Sequence, residues 1–119
     1  MTTADIAHRL AELCRAQRYR DAITELYAAD VVQQENGQPV AGGRDALAVL
    51  CEGWEKSRVV HGTEILAVHV APEAFVVEMR HDVTPHATKE RHQWSEAGVY
   101  HVRDGKIVDV RFYYNPAAT

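Results

Sequence analysis

The stretch from Arg91 to Tyr114 constrains the fold most, because it reads as two long antiparallel strands closed by the tight turn Arg103-Asp104-Gly105-Lys106. Side chains alternate along a strand. His92, Trp94, Glu96, Gly98, Tyr100 and Val102 therefore share one face of the first strand, and Val108, Val110, Phe112 and Tyr114 share the matching face of the second. That face mixes large aromatics with a carboxylate and an imidazole, where a face that served packing alone would be plainer. It is expected to line a pocket, and every earlier segment has to cover or extend this hairpin.

The earlier segments supply the cover. Ile6, Leu10, Leu13 and Cys14 recur at three and four residues behind the capping residues Thr3-Ala4-Asp5, which predicts an amphipathic helix over residues 3–17. Tyr19, Ala22, Ile23, Leu26 and Tyr27 repeat that period in a second helix ending at Ala28-Ala29-Asp30. A short strand, Val31 to Glu35, is then stopped by the turn-forming Asn36-Gly37-Gln38-Pro39, which leaves Glu35 at its mouth. The third helix runs from Arg44 to Lys56, with Ala46, Leu47, Leu50, Cys51 and Trp54 on one stripe.

From Val59 the pattern turns to strands, His61 to Val70 and Ala74 to Asp82, around a turn at Ala71-Pro72-Glu73. Phe75, Val77, Met79 and His81 look inward; Glu78, Arg80 and Asp82 form an outer row. If Thr84 to Lys89 is a simple hairpin loop, Met79 and His81 lie across from Trp94 and His92, and Val77 lies near Glu96. Helices followed by a meander of strands imply an α+β domain spanning 1–119, in which a cone-shaped, curved antiparallel sheet wraps around N-terminal helices.

Composition narrows the partners. A formal net charge of -4 gives no broad basic surface for nucleic acid or an anionic membrane. No apolar run approaches the ~20 residues that span a bilayer, and Met1-Thr2-Thr3-Ala4-Asp5 lacks the character of a signal peptide. A cytoplasmic setting is expected. Cys14 and Cys51 fall within helical patterns and read as small packed residues rather than a disulfide.

The run Leu26-Tyr27-Ala28-Ala29-Asp30-Val31-Val32, the ending Val99-Tyr100-His101-Val102-Arg103-Asp104-Gly105-Lys106-Ile107-Val108 and the closing Arg111-Phe112-Tyr113-Tyr114 resemble the nuclear transport factor 2-like superfamily. Within it the chain is most similar to the SnoaL-like, ketosteroid isomerase-like branch. The resemblance implies a curved sheet around a long helix, an apolar cavity between them, and a homodimer through the outer sheet face. One scaffold of this kind hosts isomerases, cyclases, hydrolases and non-catalytic binders. Glu35 falls where steroid isomerases of this fold carry their carboxylate base. Their hydrogen-bonding tyrosine on the first helix has no counterpart between Ile6 and Cys14, and the place of their protonated aspartate corresponds to Gly98. In the polyketide cyclases and epoxide hydrolases, carboxylates on later strands move protons, which directs attention to Glu96 and His92.

The catalytic candidates are thus Glu35, Glu96, His81 and His92. Glu96 is either a proton-transfer group or a structural hydrogen-bonding glutamate, because a carboxylate among aromatics needs a partner. Histidines titrate near neutrality and suit such a partnership. Glu35 is either a base or a solvated residue beside a turn. Trp54, Met79, Trp94, Tyr100, Phe112 and Tyr114 either wall a ligand cavity or fill it. Seven histidines invite a metal reading, but no two have the spacing of a dedicated site, so no metal and no cofactor is expected. Two functions follow: a cofactor-independent acid-base enzyme acting on a hydrophobic small molecule, or a non-catalytic ligand-binding or dimerisation module.

Overall fold

The computed structural model describes residues 1–119. Its elements are α1 (Thr3–Arg15), α2 (Tyr19–Leu26), β1 (Tyr27–Glu35), β2 (Gln38–Pro39), α3 (Arg44–Lys56), β3 (Arg58–Val70), β4 (Ala74–Pro85), β5 (His92–Arg103), β6 (Lys106–Tyr114) and a short 3-10 turn, Pro116–Ala118. One six-stranded sheet runs in the order β2-β1-β6-β5-β4-β3. Three helices cover one face, giving the α+β architecture expected from the sequence. No helix is long and apolar enough to cross a membrane.

Local chemistry sets the helix positions. Thr2 and Asp5 close a reciprocal capping box at the start of α1, with backbone-to-side-chain distances of 3.1 and 2.9 Å. Ile6, Ala7, Leu10, Leu13 and Cys14 are then buried against the sheet. At Gln17 the backbone turns to φ 59°, which breaks the period between α1 and α2. Arg9 reaches across with two bonds to the Glu25 carboxylate, at 2.7 and 3.0 Å, and ties the two helices together at their outer edge.

Several boundaries differ from the sequence reading. Tyr27 to Asp30 opens β1 rather than ending a helix, since Tyr27 is already extended (φ −85°, ψ 142°) and pairs with Ile107. Gln38 and Pro39 lie in a two-residue strand rather than wholly in a turn, because Asn36 and Gly37, with φ 50° and 81°, suffice to reverse the chain. On the far side, β3 starts at Arg58 and β4 runs on to Pro85.

The sheet is not wholly antiparallel. β1 lies parallel to β6, with Glu35 beside Phe112 and Gln33 beside Val110, while the other pairings are antiparallel. The hairpin β5–β6 closes through Asp104 and Gly105, both at positive φ. Next to it a bulge between His101 and Val102 pairs Val102 with Ile107, so Ile107, not Val108, turns into the core.

The register of β4 on β5 also departs from expectation by two residues. Met79 lies across from Glu96, His81 from Trp94, Val77 from Gly98 and Val83 from His92. A two-residue slide keeps every side chain on its face, so alternation alone cannot detect it; only the reach of β4 to Pro85 decides.

Candidate functional site

Between helices and sheet lies a cavity of about 550 Å³, lined by 20 residues of which 16 are hydrophobic. Its roof comes from Leu10 and Cys14 of α1, Tyr19 and Ile23 of α2, and Leu47, Leu50, Cys51 and Trp54 of α3. Its floor comes from β1, β4, β5 and β6. No lysine or arginine is among the lining residues; the only carboxylates are Glu35 and Glu96.

The polar side chains in this apolar setting form a chain. His81 Nε2 lies 3.0 Å from Glu96 Oε1, and the Trp94 indole N–H donates to the other carboxylate oxygen at 3.4 Å. His81 Nδ1 lies 2.8 Å from the Thr63 hydroxyl, which in turn bonds the Tyr19 hydroxyl. His81 and Glu96 expose only 6% and 13% of their side chains. A carboxylate only accepts, so His81 holds a proton on Nε2; the neutral ring then accepts from Thr63, and Thr63 accepts from Tyr19. Should His81 take a second proton on Nδ1, Thr63 must turn to donate to Tyr19, and the Tyr19 proton is freed towards the cavity. One protonation event therefore reverses two hydrogen bonds and frees the Tyr19 proton. Burial pushes the Tyr19 hydroxyl up to about 12, against a partial lowering by Thr63, so it remains a donor across the neutral range.

The sheet assembles this row. Thr63, His81 and Trp94 stand side by side on β3, β4 and β5. An irregularity between Ile65 and Ala67 shifts β3 by one residue; without it the pairing of Val70 with Phe75 would carry on to set Thr63 against Asp82, on the outer face. Trp54 closes the row from above, its ring 5.7 Å from His81, 5.6 Å from Tyr19 and 6.4 Å from Trp94. The Arg58 guanidinium lies 4.5 Å from the centre of the Trp54 ring, and its Nε–H donates to the Trp54 carbonyl at 2.9 Å.

Of the residues singled out in the sequence, Glu35, Glu96, His81, Trp54, Met79, Trp94, Tyr100 and Phe112 line the cavity. His92 and Tyr114 do not. His92 stacks behind Trp94 at 5.6 Å, with Nδ1 3.2 Å from the Glu90 carbonyl and Nε2 buried without a partner. Tyr114 donates to Glu35 at 3.4 Å at the rim, and burial followed by the nearby Glu35 raises its hydroxyl. Sequence reasoning missed Tyr19, Thr63 and Tyr27. Tyr19 and Thr63 are 44 residues apart and meet only through the bulged strand. Tyr27 was hidden by its assignment to a helix. No three histidine, cysteine, aspartate or glutamate side chains are grouped to hold a metal ion.

Residues 1–114 match the model of a family described as a SnoaL-like domain. No curated protein matches the sequence. Among solved structures, a Mesorhizobium loti protein named for SnoaL-like polyketide cyclases is 34% identical over 96% of this chain and 100% of its own, with a TM-score of 0.88. A Catenulispora acidiphila protein of ketosteroid isomerase-like fold, in complex with trimethylamine, is 17% identical, covers 98% and 90%, and has a TM-score of 0.80. An LEH-like epoxide hydrolase from M. tuberculosis is 18% identical, covers 98% and 86%, and has a TM-score of 0.76. The last two share the fold.

Proposed function

The chain belongs to the SnoaL-like domain family, and on that premise we propose that it binds an apolar small molecule under the helices and moves a proton on it without a cofactor. The observation that carries this reading is the His81–Glu96 pair, 3.0 Å apart and nearly sealed from water, on the floor of an otherwise apolar cavity. In such surroundings a carboxylate held by an imidazole is poised to exchange a proton, and the cavity-lining hydroxyl of Tyr19 at the end of the relay supplies or receives a second. Glu96 and His81 act as the acid-base centre, and Glu35, oriented by Tyr114, is the second carboxylate at the rim. His92 acts through the Trp94 ring it supports. Trp54, Met79, Trp94, Tyr100 and Phe112 hold the ligand.

The test is turnover. Hydrophobic ketones, epoxides and polycyclic phenols are screened against the protein, and any reaction found is repeated with Glu96→Gln and Glu35→Gln. Loss of rate in Glu96→Gln with the ligand still bound supports the reading; full rate in both variants ends it.

A second reading, a ligand-binding or dimerisation module, draws on the outer sheet face, where Val32 and Tyr113 are about half exposed. On this reading two copies pair through that face, and the measured mass in solution is twice that of the chain. A monomer at all accessible concentrations removes it. A cytoplasmic setting, in which Cys14 and Cys51 remain free thiols, accompanies either reading.

A further inference from the structure

Charge is distributed differently around the cavity and over the surface. Outside, carboxylates are answered by cations: Glu25 by Arg9 at 2.7 Å, Glu64 by Arg80 at 2.8 Å and Asp82 by Arg91 at 2.8 Å. Inside, Glu35 and Glu96 belong to a wall that holds no lysine or arginine, and Glu55 stands behind Cys51, accepting from its thiol at 3.4 Å. Arg58 lies over Trp54 but is not part of the lining. Burial and then Glu96 push the Cys14 thiol up to about 12, and burial raises the Tyr19, Tyr27, Cys51 and Tyr100 protons as well. These groups stay neutral at pH 7, so the cavity carries negative charge with no lysine or arginine to balance it.

The two lining carboxylates are not equivalent. Glu96 has both oxygens engaged, by His81 at 3.0 Å and by Trp94 at 3.4 Å, and is nearly sealed. Glu35 is separated from it by β6, is half-buried, and receives one contact, from the Tyr114 hydroxyl at 3.4 Å. A charged head beside Glu35 therefore keeps part of its water, where one beside Glu96 would lose nearly all of it. Aromatic rings flank the same carboxylate. The pairing of β1 with β6 sets Glu35 beside Phe112, whose ring lines the cavity and stands perpendicular to Tyr100 at 6.1 Å. Tyr114, two places further along β6, brings a second ring to it. Ring faces attract positive charge, and the carboxylate neutralises it.

We propose that Glu35 anchors the head of an organic cation, an alkylated ammonium whose apolar body occupies the space under the helices. A methylated nitrogen carries charge without N–H groups of its own. That matches a lining in which 16 of 20 residues are hydrophobic, where the donors of a primary ammonium would go unmet. An anionic ligand meets like charge and finds no cation in the wall. The inference rests on the ligand-binding reading above and deepens it: Glu35 recognises the ligand, and proton transfer is left to Glu96 and His81.

The experiment compares benzyltrimethylammonium with neopentylbenzene, which has the same shape with carbon in place of the charged nitrogen, by quenching of Trp54 and Trp94 fluorescence. Glu35→Gln keeps the size of the side chain and removes its charge. The expected result is a loss of about three- to tenfold in affinity for the cation, with the hydrocarbon within about twofold of the unaltered protein. In the unaltered protein, raising salt from about 0.05 M to about 0.5 M should weaken the cation and not the hydrocarbon. That measurement reads the anchor even if the variant does not fold. Equal effects of Glu35→Gln on both ligands, a folded variant that holds the cation as before, a cation affinity indifferent to salt, or binding of the hydrocarbon alone would overturn the anchor while leaving ligand binding intact. Failure of both ligands to bind would instead overturn the ligand-binding reading, and the anchor with it.

Discussion

The cavity holds two polar centres built on opposite terms. Around Glu96 every group is answered: Trp94 and His81 donate to the carboxylate, and Thr63 and Tyr19 complete the line behind the imidazole. Around Tyr100 the protein supplies position but no partner, with Phe75, Phe112 and the missing side chain of Gly98 fixing a hydroxyl that bonds to nothing in the chain. A satisfied network can store and relay a proton, since each member has somewhere to pass it. An unsatisfied, immobilised donor is suited to recognition, because its best acceptor has to arrive from outside.

The widest separation of the two centres should come from Glu96→Gln. The amide oxygen of the introduced glutamine still accepts from His81, so the fold should persist, while any proton-transfer rate falls by about 10²- to 10⁴-fold, as read from kcat. Gly98→Ala attacks the other centre. Its Cβ needs space that the Tyr100 ring occupies, and we expect about 1–3 kcal/mol of destabilisation in urea unfolding.

Alkaline pH sharpens the contrast without a mutation at the acid-base centre. Tyr27 and Tyr100 have folded values raised above the ordinary ~10, so above that pH the unfolded chain loses protons that the folded chain keeps. Stability that is present below pH ~10 is therefore lost as pH rises, by about 1.4 kcal/mol per pH unit for each buried tyrosine. Tyr100→Phe should lessen that slope by one such increment in equilibrium unfolding between pH 10 and 11.5; an unchanged slope would mean that Tyr100 is not buried in solution. The smallest effect is expected at Cys51, which lines the cavity with its thiol pushed up to about 12 by burial and by Glu55. Iodoacetamide should label it slowly at pH 8, and a few-fold more slowly with an apolar ligand in the cavity.

The sequence disclosed these centres unequally. The alternation in β4 and β5 carried the inward facing of Phe75, Val77, Met79 and His81 and of Trp94 and Tyr100, because a face buried by the helices imposes a strict period of two. It could not place His81 beside Glu96, since sliding two residues preserves that period while exchanging every neighbour. Thr63 was concealed for the opposite reason: the irregularity after Ile65 breaks the period and turns an outward position inward. Tyr27 sits where an apolar helical spacing runs on by chance into a strand, and the pairing partner that decides the matter, Ile107, is 80 positions away. Gly98 was visible as an empty place for an aspartate, yet nothing in the sequence signals that a tyrosine two residues on would lean into it.

The parallel pairing of β1 with β6 has a consequence for how the chain comes to be folded. The one parallel seam of the sheet joins β1 to a strand made after all the others of that sheet, so the cavity floor lacks Phe112, and Glu35 lacks its neighbour, until β6 has been synthesised. Until then β1 would keep an open edge, with Tyr27 and Gln33 lacking their partners Ile107 and Val110. Closure of that long loop is then the slow event of assembly, and its rate belongs to topology rather than to the chemistry of the site.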